Sequence, residues 1–282
     1  MNDTPTDEAG AFLRTVLRAL DGDLAARLPR LADPADARAV HDVRVTLRRV
    51  RVALRLSRPL FGRFLADEVR AGFAGFQRAT GTLRDDEVLL DTVRGLGLPD
   101  AALTRWCAQR LRRQRALRRA AVRLSQGPAL ARARGLLWFL TELPTRPRRA
   151  QGLHHFAAAA VKRQARRVRD LGEVALTDPT GLHALRIAYK RLRYALVLLA
   201  PGLPEDAHAR AREASRHQDA LGAAHDLTVA LAAVGRARGL PAALRARVRG
   251  ALAAREAEAL GALAALRGGS AGEGTDCAAG QS

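Results

Sequence analysis

Only two cysteines, Cys107 and Cys277, occur in 282 residues, too few for a disulfide framework or a four-ligand zinc site. A reducing, cytoplasmic setting is therefore expected. No run of about 18 apolar residues is present and the first ten residues are acidic and polar, so neither a membrane span nor a signal peptide is expected. Aromatic residues make up 4% of the chain, with Trp106, Trp138, Tyr189 and Tyr194 scattered, which argues against the stacking platform used by single-strand binders. Lysine is nearly missing, since Lys162 and Lys190 are the only two. Gly-rich phosphate loops and dinucleotide loops are also lacking.

What is present is arginine. Lys+Arg number 48 against 28 Asp+Glu, a formal net charge of +20, while the 27% of charged residues is ordinary. The imbalance is one of sign, and a positive field on that scale recruits polyanions. Guanidinium forks match phosphate oxygens better than an ammonium does. Ala, Leu, Arg and Glu dominate, and apolar residues recur at spacings of three and four, which predicts an all-α fold. Helix breaks are expected at Asp33-Pro34, Arg58-Pro59, Leu98-Pro99, Gly127-Pro128, Leu143 to Pro147, Asp178-Pro179, Pro201 to Pro204 and Leu240-Pro241. Residues 1–9 are expected to be a flexible N-terminus, 10–267 the folded domain and 268–282 a disordered tail.

The chain repeats itself at a period of about 142 residues. HDVRVTLRRVRVALRL at 41–56 aligns with HALRIAYKRLRYALVL at 183–198. Further anchors keep nearly the same offset: Phe12/Phe156, Asp33-Pro34/Asp178-Pro179, Gly81 and Asp85 with Gly222 and Asp226, and Leu98-Pro99/Leu240-Pro241. Two halves, 10–143 and 150–267, each of about four helices, are expected as antiparallel bundles related by a pseudo-two-fold axis.

On a helix at about 100° per residue, His41, Arg44, Arg48, Arg51 and Arg55 fall within one arc of roughly 80°. Val43, Leu47, Val50 and Leu54 border the row on one side, and Val45, Val52 and Leu56 on the other. The second copy carries His183, Arg186, Lys190 and Arg193 between similar apolar edges, Leu185, Tyr189, Leu192 and Leu196 against Ile187, Tyr194 and Leu198. Stacked like charges repel, by a few tenths of a kcal/mol per pair on an exposed helix and more where water is excluded, so an anion should offset the cost. The row runs over about 20 Å, which suits a long, multiply charged anion. The competing reading pairs these arginines with Asp85, Asp86, Asp219 or Asp226. His41 and His183 stand open as ligand contacts or as neutral bridges between helices. Arg49 and Arg191, with Arg18 and Lys162 outside the motif, complete the candidate binding set. His154, His155, His208 and His217 have no counterpart in the other half and are expected at the surface, as are Arg112, Arg113, Arg118 and Arg119.

At these residues the sequence resembles the CHAD family, the conserved histidine α-helical domain. Its pattern stands here twice, as HxxRxxxRRxR at 41–51 and HxxRxxxKRxR at 183–193. A second signature, a Leu-Gly turn followed by Asp and an apolar helix, is similar to TGTLRDDEVLLDTV at 80–93 and LGAAHDLTVALAAV at 221–234, with Thr80 where Leu is usual and His225 where Asn is usual. The resemblance spans residues 10–267 and implies two four-helix halves forming a basic groove for inorganic polyphosphate, often in association with polyphosphate granules. Family members are frequently fused to a triphosphate tunnel domain with an ExExK motif; none occurs here, so its phosphatase chemistry is not carried over. A non-enzymatic polyphosphate-binding protein without cofactor or metal is thus expected, its oligomeric state open. Sequence-blind nucleic-acid binding is the alternative, favouring an exposed helix rather than one hemmed by apolar edges. A phosphohydrolase built on His41-Asp42 and His225-Asp226 is the third reading, weakened because the two dipeptides do not align in the duplication.

Overall fold

The sequence's helix formers and prolines resolve, in a computed structural model describing residues 7–145 and 150–272, into ten α-helices with no strand among the described residues. They are α1 (Glu8–Arg27), α2 (Ala39–Phe61), α3 (Arg63–Gly72), α4 (Ala74–Arg94), α5 (Ala101–Ser125), α6 (Pro128–Glu142), α7 (Leu153–Arg169), α8 (Pro179–Leu198), α9 (Ala207–Gly235) and α10 (Ala242–Gly272). Most boundaries follow local chemistry. Asp100 caps α5 by accepting from the amides of Ala102 and Leu103, and Asp178 caps α8 by accepting from Thr180. Pro128 and Pro179 open their helices, where a missing amide proton costs nothing.

Three boundaries differ from expectation. α2 runs through Pro59 to Phe61, because a proline in the last turn removes only one ladder bond; Gly62, at φ 100°, then turns the chain. Ahead of α2, Asp36 accepts from the amides of Arg38 and Ala39, and Asp33 from that of Ala35, as Asp178 does from that of Thr180. α10 continues to Gly272, into the segment expected to be a disordered tail, and α1 begins at Glu8; residues 1–6 and 273–282 lie outside the described residues.

α7, α8, α9 and α10 follow one another as α1, α2, the α3–α4 pair and α5 do. The first half is longer by a break and a helix: Gly72 and Gly75 flank the interruption at Phe73, and α6 has no counterpart. Gly72 is also a close approach, since a Cβ there would lie 2.9 Å from Cβ of Ala133 on α6. Apolar packing ignores the division into halves. One core gathers Leu13, Leu17 and Leu24 of α1, Val43, Leu47 and Leu54 of α2, and Leu137 and Leu140 of α6 with Phe156 and Ala160 of α7. Another joins Leu90 and Val93 of α4 and Trp106 of α5 to Val234 of α9 and Val248 and Leu252 of α10. α2 thereby comes to lie against α8, while α4 packs on both α2 and α9, and α8 on α9.

Candidate functional site

The four helices α2, α4, α8 and α9 bring the two motif rows together. The apolar edges do the anchoring: Val43, Leu47, Val50 and Leu54 are at most 1% exposed, as is Leu185, while Tyr194 and Leu196 are at most 2% exposed. The cationic rows between them are half-buried. Arg48 on α2 donates to the Tyr194 hydroxyl on α8 at 3.4 Å, linking the copies directly. Arg193 lies over the same ring at 4.5 Å and donates to Gln218 Oε1 on α9 at 2.9 Å.

Each half sets its first motif arginine over a glycine. Arg44 donates to the Gln77 carbonyl at 3.3 Å and its Nη1 would lie 3.1 Å from a Cβ on Gly81. Gly222, the duplicate of Gly81, lies beneath Arg186 with Nε at 3.9 Å from the equivalent point. The absent side chains make room for the guanidinium groups.

Crowding of like charge is visible in the titrating groups. Burial, and then Arg48, Arg186, Arg44 and Arg193, bring Lys190 down to about 7. Burial followed by Arg186, His183 and Lys190 brings His225 to about 4, and burial followed by Arg84 lowers His41. Arg44 and Arg186 are likewise lowered, chiefly by burial. Further along α2, burial and then Arg191, Arg58, Arg70 and Arg51 bring Arg55 to about 10, with Arg51 and Arg191 lowered in the same direction. The motif row of α2 runs from His41 to Arg55, about 20 Å at 1.5 Å per residue, while Arg58 beyond it and Arg70 beside it are both held by Asp67.

Among the described residues, no carboxylate comes within 4.0 Å of Arg44, Arg48, Arg49, Arg51, Arg55, Arg186, Lys190, Arg191 or Arg193. The carboxylates that were candidates for pairing are engaged elsewhere or stand off. Asp86 is held by Arg110 at 2.7 Å, and Asp219 accepts from Ser215 and Gln218. Asp226, half-buried, is raised by that burial. Among the described residues, the buried Nε atoms of Arg49 and Arg55 have no hydrogen-bond partner, an arrangement that costs free energy. Among the described residues, no group of three or more His, Cys, Asp or Glu is placed to hold a metal ion.

A family model described as the CHAD domain matches residues 15–235. The chain belongs to the CHAD family. Its fold is similar to that in the crystal structure of the CHAD domain from the plant Ricinus communis, with a TM-score of 0.77 at 20% identity over 95% of this chain and 94% of that one. It is also similar to PptA from Streptomyces chartreusis, with a TM-score of 0.65 at 19% identity over 92% of this chain and 96% of that one. No curated protein matches the sequence significantly.

Within this CHAD domain the remaining candidates divide. His183 lies beside His225, ring centroids 4.9 Å apart, at the end of the strip where Arg186 and Lys190 stand, and His41 lies at the corresponding end of α2. Arg18 is not brought to the motif rows: it pairs with Glu142 at 2.6 Å and lies over Trp138 at 4.9 Å, on the α1–α6 surface. Lys162 is exposed on α7 without a contact to the strip. His154, His155 and His208 are exposed, whereas His217 is 3% exposed and stacked on Tyr189 at 4.6 Å, because Ala211, Ala214 and Leu221 place that face of α9 inward. Arg118, expected in solvent, donates to the carbonyls of Asp33 and Asp36 at 2.6 and 2.9 Å and ties α5 to the segment ahead of α2. Arg84, Arg58, Arg70 and Arg167 act electrostatically on the strip and were missed, although Arg84 is paired with Glu87 and Arg58 and Arg70 with Asp67. Arg84 lies inside the second signature, three residues after Gly81, which is the one signal that could have found it.

Proposed function

We propose that this CHAD protein binds inorganic polyphosphate along the strip formed by α2 and α8 and, without altering the chain chemically, attaches to or organises polyphosphate granules. The observation that carries this reading is the double row of half-buried cations with no carboxylate partner among the described residues. Arg44, Arg48, Arg51, Arg55 and Arg191, with Arg186, Lys190 and Arg193, supply guanidinium and ammonium donors at one- and two-turn spacing. Successive phosphates of one polymer engage them without fresh association entropy. His41, lowered by burial and Arg84, adds a donor if a phosphate oxygen restores its proton. Family membership supports the same ligand.

Displacement of a labelled polyphosphate by unlabelled polyphosphate and by duplex DNA, at equal phosphate concentration and about 0.15 M salt, tests this reading. Polyphosphate should displace the label at a concentration at least about tenfold below that of DNA, a preference worth about 1.4 kcal/mol. Equal displacement would assign the groove to polyanions in general. Chain length after prolonged incubation should be unchanged, and release of orthophosphate would overturn the non-enzymatic part.

A further inference from the structure

The helix that the second half lacks, α6, buries Leu130, Ala133, Leu137 and Leu140 and turns a different face outward. Ala131, Arg132, Gly135, Trp138, Phe139 and Glu142 are all exposed and lie within about 120° of arc. Trp138 and Phe139 are each 55% exposed in a chain only 4% aromatic. Gly135 has no internal reason to be glycine: a Cβ there would meet nothing within 4 Å. Glycine at an exposed helical position costs about 1 kcal/mol relative to alanine, and its use is close approach by another backbone.

We propose that α6 is a dimerisation helix, two copies of the chain packing α6 against α6 in antiparallel fashion about a two-fold axis at Gly135. The sequence is self-complementary in that register. Ala131 faces Phe139 of the second copy, small against large, and Arg132 faces Trp138, cation against ring, while the two Gly135 residues meet at the axis. One side of the Trp138 ring is already taken by Arg18, itself held by Glu142 at 2.6 Å, which leaves the other side open. A parallel arrangement would instead set Arg132 on Arg132. Charge selects this face as well. Each copy carries +20, yet on α6 Arg134 is held by Asp21 at 2.7 and 2.9 Å and Glu142 by Arg18, leaving Arg132 as the cation of α6 without a carboxylate partner among the described residues.

Four half-exposed aromatic side chains, each worth roughly 200 Å², lie well below the 1,200 Å² or more of a standard stable interface, so the dimer is reversible, in the micromolar range. Repulsion between two +20 copies is screened by salt, so dimerisation strengthens as salt rises, the opposite of polyphosphate binding.

Sedimentation equilibrium of the full chain without polyphosphate, over the order of 1 to 200 μM, should show a monomer–dimer equilibrium that tightens between about 50 and 300 mM salt. Gly135→Arg should raise the dimer dissociation constant at least about tenfold, with an unchanged or higher melting temperature, since the site is open and Arg is the better helix former. In a Cys277→Ser background, Gly135→Cys should cross-link on mild oxidation and Ala129→Cys, off the arc, should not. A monomer at every concentration, an unweakened Gly135→Arg dimer, or equal cross-linking at both positions would each overturn the proposal.

Discussion

Gly81 and Lys190 show that single positions along the motif rows act through what they omit or withhold. At Gly81 the missing side chain is the seat of the Arg44 guanidinium, 3.1 Å from where a Cβ would stand. Leucine is the better helix former, so Gly81→Leu should leave α4 intact and displace Arg44. Titration calorimetry is expected to show roughly a tenfold loss of polyphosphate affinity, of the size of one charged hydrogen bond, with no fall in melting temperature. Equal affinity would mean that Arg44 does not contact the ligand. Lys190 withholds its proton. Brought to about 7 from an ordinary 10.5, it is largely neutral at pH 8 in the free native state, whereas the unfolded chain keeps it charged. The unfolded state then binds more protons, so stability of the free protein should rise with pH between about 7 and 10. Phosphate beside the amine reverses this preference. Binding at pH 8 should take up to about one proton, read from calorimetry in buffers of different ionisation heat, and affinity should fall as pH climbs above about 7. Lys190→Arg should abolish the uptake, because a guanidinium stays charged; the same uptake in the variant would move the effect to other groups.

At the scale of elements, what could be read in the sequence was what a single helix decides for itself. The face of α2 that carries Arg44, Arg48 and Arg51 follows from a 3.6-residue period, and among the described residues every expected break but Arg58-Pro59 falls between helices, because proline acts on its immediate neighbours. What neighbouring helices contribute could not be read. Arg70 comes from α3 and Arg167 from α7, His217 turns inward with its face of α9, and Arg18 is drawn to Glu142 by an α6 that the duplication does not contain. Arg118 illustrates the consequence for experiment, since its bonds to Asp33 and Asp36 disqualify it as a neutral control. Exposed Arg112 and Arg119 serve instead. Arg48→Ala with Lys190→Ala should weaken polyphosphate binding by about 1.5 to 3 kcal/mol per lost charged hydrogen bond and leave the free protein as stable or more so, through relief of repulsion. Arg112→Ala with Arg119→Ala removes at least as much charge and should act only through the screened field. Equal losses in filter binding would assign affinity to diffuse charge. On α4, Asp86, 4% exposed, answers to Arg110 at 2.7 Å. Asp86→Ala should cost about 2 to 4 kcal/mol in chemical denaturation by stranding that guanidinium, and a neutral result would show that solvent reaches Arg110 freely.

At the scale of the whole molecule, +20 is distributed over a protein whose two motif rows lie where four helices meet. Log affinity for polyphosphate should fall steeply and linearly with log salt, since neutralising linked phosphates releases counterions. A flat response would indicate a pocket for one small anion. Affinity should also rise with chain length until the strip of about 20 Å is filled, and equal binding of pyrophosphate and a long chain would remove the strip as the site. The cores that position the motif helices are shared: α1 and α2 close on Phe156 and Ala160 of α7, and α4 and α5 close on Val234, Val248 and Leu252. Severed at the stretch 146–149, the chain becomes two polypeptides whose mutual surface is a protein interior cut open, like that of an obligate heterodimer. Each fragment alone should behave as a partly collapsed, aggregation-prone species, and mixing them should restore helicity together with polyphosphate capture. The site is thus a property of reassociation, held by neither fragment until both are present.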